Sequence, residues 1–144
     1  MIRFILCVSI IFLSATTYAE TLTGVCEAPQ GYTFGYAKGE MTGGKDAITG
    51  AILNYSWDSV TKKATIITRH SSIAGGEPLS YPAIVIPISE RQISFLVTFE
   101  RAIEMHSIFL DSKVVFVSSH KDISNILPEG ATGKTLWSRC SIGK

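Results

Sequence analysis

Beyond residue 20, the order of apolar and polar positions is that of β-strands. Ile93, Phe95, Val97 and Phe99 alternate with Gln92, Ser94 and Thr98, the two-residue period of a strand with one face in the core and the other in water. Leu53, Tyr55 and Trp57 repeat the pattern opposite Asn54 and Ser56, and Ile103, Met105 and Phe109 are expected to form the core face of a later strand in the same way. Nine strands are expected, at 21–27, 32–38, 48–57, 63–70, 83–88, 92–99, 103–110, 113–119 and 135–142. The only helix expected is a short one over 123–127, with Asp122 as its cap and Pro128 and Gly130 as its stop. Pro87 lacks the amide that a central strand needs, so its strand is expected to be an edge or to carry a bulge.

The links between these segments alternate in length. Residues 29–31, 58–62, 89–91 and 111–112 are hairpin-sized, whereas 39–47, 71–82 and 120–134 are long and only 100–102 is tight among the alternate set. If consecutive strands pair antiparallel, all the long links fall at one end of the sheet. The expected fold is therefore all-β: a small antiparallel up-and-down barrel or rolled β-sandwich of about eight to nine strands, looped at one end. In such a meander the first and ninth strands run in the same direction, which puts Cys26 and Cys140 together at the tight-turn end.

The first twenty residues read differently. One positive charge, Arg3, precedes an apolar run from Phe4 to Leu13, and small residues lead to Ala19. That is the order of a secretory signal peptide, and the run is far shorter than the ~20 residues that span a bilayer. Residues 1–19 are thus expected to be removed, leaving a single β domain over 20–144 in the periplasm of a bacterium or the exterior of another cell. Cys7 leaves with the leader. Cys26 and Cys140 then remain as an isolated pair in an oxidising compartment, which is most simply a disulfide. Zinc would require further Cys or His close by, and there are none.

Charge narrows the partners. Without Arg3 the chain carries 12 basic against 12 acidic residues, and the basic ones are scattered. A protein that binds phosphate backbones needs clustered positive charge, so nucleic acid is not an expected partner, and neither is a membrane surface. The run from Gly130 to Thr135 resembles the end of a phosphate-binding loop, but the required earlier glycine is Pro128. With both cysteines paired no thiol nucleophile remains, and no cofactor is expected.

What is left is a presentation scaffold whose looped rim carries the candidate residues, since loops on a rigid frame hold polar groups that a core could not satisfy. The expected binding residues are Lys45, Asp46, His70, Tyr81, Arg101 and His120. The expected function is an exported, non-enzymatic binding protein for a protein or an apolar small molecule. One version is an inhibitor or immunity protein of a cell-wall-degrading enzyme, and another is a cup with an apolar ligand. The enzymatic alternative is a small secreted hydrolase using His70 and His120 as acid and base. His106, in mid-strand, is expected to be a packed or a surface residue rather than a ligand.

Overall fold

The computed structural model describes residues 21–69 and 77–143, so the expected leader and His70 lie outside the described residues. Eleven strands follow one another: β1 (Thr21–Glu27), β2 (Gln30–Ala37), β3 (Glu40–Ala47), β4 (Ile52–Asp58), β5 (Ala64–Arg69), β6 (Leu79–Pro82), β7 (Ile84–Ser89), β8 (Gln92–Thr98), β9 (Ala102–Phe109), β10 (Val114–Asp122) and β11 (Ala131–Gly143). Nine of them, in the order β6-β5-β4-β1-β11-β10-β9-β8-β7, form a nearly closed antiparallel barrel, and β2 and β3 extend it along the free part of β11. Of the two all-β forms expected, barrel or rolled sandwich, the nearly closed barrel is the one observed.

Several of the eleven strands are halves of longer bent ones. Both β1 and β2 run antiparallel to β11, with Cys26 opposite Cys140 and Gln30 opposite Trp137. The link between β1 and β2, expected as a hairpin turn at 29–31, is therefore a bend that keeps the chain's direction. Ala28, at φ 45°, supplies it, and two backbone bonds hold it: Ala28 N–H to the Ala51 carbonyl and Ile48 N–H to the Pro29 carbonyl, both 2.9 Å. The reversal comes later, at Lys38 and Gly39, so 39–47 is not a long loop but the strand β3 paired along β2. Its two glycines and its charges hide the alternation that would have marked it as a strand. β6 and β7 are likewise separated only by Ala83, whose N–H bonds the Ala64 carbonyl at 3.0 Å. The first half pairs with β5 and the second with β8, which brings the two ends of the nine-strand path together.

The barrel has one tight end and one looped end. Links 59–63, 90–91 and 110–113 are short and share the tight end, with Lys62 and Lys113 in the left-handed region at φ 59° and 53°. The other end carries the β2–β3 tip, the end of β5 and the start of β6, residues 99–101 and the loop 123–130. That loop forms no helix, contrary to expectation. A single turn is closed by the Leu127 N–H on the Ile123 carbonyl at 3.0 Å, and Asp122 caps it by accepting from the Ser124 N–H at 2.8 Å. The strands on either side reach to Asp122 and start at Ala131, so this link is also shorter than 120–134. Pro87 sits at a register shift between β7 and β8, the bulge that a missing amide predicts.

Cys26 and Cys140 are joined by a disulfide across 114 residues of chain, consistent with an oxidising compartment. The strands that carry them are antiparallel neighbours, not parallel ones as expected. Only the Cys140 side of the bridge is near the tight end, where its N–H bonds the carbonyl of Lys113 in the β9–β10 turn at 2.8 Å. Cys26 stands opposite Leu53, next to the looped-end start of β4, so the expected place of both cysteines at the tight-turn end holds for Cys140 alone. Inside the barrel, Leu22, Leu53, Tyr55, Ile66, Ile93, Phe95, Val97, Ile108, Val115, Val117 and Leu136 form the core. Phe95 is fully buried, with its ring centroid 5.3 Å from that of Tyr55.

Candidate functional site

Strand β9 is turned the other way from its apolar pattern. Ile103 and Met105, expected in the core, are about two-fifths exposed on the outside, while Glu104, His106 and Ile108 face inward. The flanking strands impose this. Inward-facing Ile93, Phe95 and Val97 of β8 stand opposite Ile108, His106 and Glu104, and on the other side Val115 and Val117 of β10 stand opposite Ile108 and His106. Slipping β9 by one residue would bury its Ile103 and Met105, but a strand's alternation ties register to facing. The slip would break its match with two strands whose own apolar faces are unambiguous. The result is a carboxylate and an imidazole on the inner wall of an apolar barrel.

These groups border a cavity of about 410 Å³ towards the looped end. Its walls are largely apolar, with Pro29, Leu53, Phe99, Val117 and Leu136 among them, and its polar groups include Glu104, His106, Thr68, Ser119, Thr132 and Lys134. The barrel core is thus filled from the tight end up to the level of His106 and open beyond it.

The polar groups are linked in a definite way. Tyr55 Oη lies 2.8 Å from His106 Nδ1, and no other partner of this hydroxyl exists among the described residues. A buried O–H must donate somewhere, so Tyr55 donates to Nδ1 and leaves the ring proton of His106 on Nε2. That nitrogen is directed at Glu104 Oε2, 3.4 Å away, a long approach for a hydrogen bond. Burial pushes the Tyr55 hydroxyl well above the usual tyrosine range, and the Glu104 charge adds to the effect. Tyr81 is raised by the same two causes in the same order. Its ring meets that of Phe99 edge-on, centroids 5.3 Å apart, at the mouth of the cavity.

The six expected binding residues are spread more widely than one rim. Tyr81 lines the cavity. Asp46 is bound to Lys134 at 2.6 Å, and the hydrogen bond from that ammonium holds its carboxyl below the usual range. Lys45, on the outer side of β3, borders an open depression with Tyr32 and Trp137. Arg101 reaches Asp122 and Ser124, both at 2.7 Å, and so fastens the loop 123–130 to the β8–β9 link. The Asp122 carboxyl falls to about 2, first through the Ser124 amide and then through Arg101. His120 is exposed on the outer face of β10, opposite Ile103 and Gly133, with the barrel wall between it and the cavity. His70 is outside the described residues. His106 is packed, one of the two settings expected of it, yet it borders the cavity together with Glu104, which the rim-based choice passed over. The available signal was a charge and an imidazole two residues apart within a strand.

Outside the barrel, Tyr32, Phe34 and Tyr36 of β2 form an exposed row that continues through Trp137 of β11 to Phe116 of β10. Among the described residues no group of three or more His, Cys, Asp or Glu side chains stands together as a metal site would require. No family model, no curated protein and no solved structure matches the chain.

Proposed function

We propose that the mature domain is an exported binding protein that admits one small amphipathic molecule into the barrel through its looped end. The observation that carries this reading is the unfilled upper interior: about 410 Å³ behind apolar walls, with a few polar groups converging on it. That volume and lining are those of small-molecule sites in general, and barrels of about eight strands are wide enough to hold one such ligand. The signal-peptide pattern at the start of the chain and the disulfide both support an extracytoplasmic home. The reading is one of binding without turnover.

The test is a titration with the neutral fluorescent probe phenylnaphthylamine, run on the mature oxidised protein. The expected result is a single saturable step, weakened on the order of tenfold or more by Ser119→Trp. Ser119 is only half-buried and lines the cavity, so the indole occupies the ligand's space at little cost to the fold. A wild type that shows no saturation would overturn the proposal.

A second reading, that the protein binds a protein partner such as a secreted enzyme, is favoured by the exposed row of Tyr32, Phe34, Tyr36, Trp137 and Phe116. Contiguous exposed apolar surface of this kind marks interaction faces. In a pull-down from the native envelope, a specific companion should be lost with Tyr32→Ser combined with Phe34→Ser and retained with Ser119→Trp. The reverse pattern would dismiss the outer face.

A further inference from the structure

Building on the small-molecule reading above, we infer that the polar end of the ligand is cationic, an ammonium group seated against the Glu104 carboxylate and beside the rings of Tyr81 and Phe99. Each of the four aspartates has a donor, and the other described glutamates are exposed to water. Asp46 has Lys134, Asp122 has Arg101, Asp111 has Arg91 at 3.4 Å, and Asp58 accepts from the backbone amides of Val60 and Thr61. Glu104 has only the 3.4 Å approach of His106 Nε2, and no lysine or arginine among the described residues lies within ion-pair distance of it. Yet Glu104 is about two-thirds buried, with a side-chain exposure of 35%. A carboxylate offers about four lone-pair positions, and holding one on an apolar wall is costly unless donors meet it. Here most of that accepting capacity faces the cavity.

The basic residues of the cavity do not satisfy it. Lys134 is engaged by Asp46 at 2.6 Å. Lys121 is exposed at the lip, opposite Ala102 and so one inward-facing position farther out than the Glu104–Ser119 pair. The enclosed charge left to meet a ligand is therefore negative. Its neighbours suit a cation, because the faces of aromatic rings attract positive charge, and Tyr81 and Phe99 both line the cavity. The Glu104 charge acts on the hydroxyls of both Tyr55, in the buried core, and Tyr81, in the cavity wall, which agrees with this placement.

The experiment is displacement of phenylnaphthylamine at neutral pH by octylamine, octanol and octanoate, which share one apolar chain and differ in charge. Octylamine should displace the probe on the order of tenfold or more better than octanol, with octanoate poorest, and Glu104→Gln should bring octylamine level with octanol. Octanol or octanoate matching octylamine on the wild type would overturn the charge assignment while leaving the cup intact, and this arm needs no variant to fold. An undiminished preference for octylamine in Glu104→Gln would also overturn it. Failure of the probe itself to bind the wild type would sink the cup reading, and this inference with it.

Discussion

A Cys26→Ala, Cys140→Ala double variant will unfold with roughly 3–5 kcal/mol less free energy than the oxidised protein, by denaturant titration read with two probes. The bridge spans 114 residues, nearly the whole described domain, and closing a loop of that length restricts the unfolded chain by about 5 kcal/mol in the chain-entropy account. A domain of this size has a total stability of only about 5–15 kcal/mol, so the variant is expected to sit near the threshold of folding. The bridge also joins the first and last barrel strands directly, where β11 leaves β10 at Arg139 and continues along β1 alone. A loss under about 1 kcal/mol would mean that the backbone ladder between β1 and β11 holds that seam of the barrel without covalent help.

Phe95→Ala is expected to cost roughly 3–5 kcal/mol, whereas Phe116→Ala should cost less than about 1 kcal/mol. Both are strand phenylalanines, but Phe95 is fully buried against Tyr55 and Phe116 is 44% exposed on the outer wall. The first deletion opens a hole beneath the level of His106, at the floor on which the cavity stands. The second removes part of a surface that water already reaches. Unfolding midpoints at constant m-value compare the two directly. Equal losses would show that the outer aromatic row is covered in solution.

Much of the scaffold was legible without coordinates. The alternation of Ile93, Phe95 and Val97 located β8 with its correct inner face, Leu53, Tyr55 and Trp57 did so for β4, and the short turns at 58–62 and 89–91 placed the tight end. These features are local, because period and turn chemistry depend on neighbours a few residues away. β3 was missed because Gly43, Gly44 and Lys45 show no apolar period, and its strand state comes from pairing with β2 rather than from its own side chains. The bend at Ala28 was taken for a reversal because Pro29 and Gly31 are turn residues. The error flips the relative direction of the first and last strands while leaving the grouping of the long links intact.

The cavity was the least visible feature, and β9 explains why. Its own residues favour burying Ile103, Met105 and Phe109, and that preference is outweighed by the matched apolar faces of β8 and β10 on either side. Facing is a collective property of three paired strands, so no reading of β9 alone could place Glu104 and His106 inside. Local disagreement between a strand's pattern and its setting is expected where a fold serves function.

By itself, the sequence determined that this chain is a disulfide-tied domain of short antiparallel strands, a barrel or a rolled sandwich, tight at one end and looped at the other, because period, turn residues and cysteine count act over short range or by simple number. Only the tertiary structure decided which strands are halves of longer bent ones, that β1 lies antiparallel beside β11, and that a carboxylate and an imidazole look into the open upper half of the barrel. Those outcomes depend on register between strands far apart in the chain, where the burial of many side chains at once outweighs the preference of any single segment.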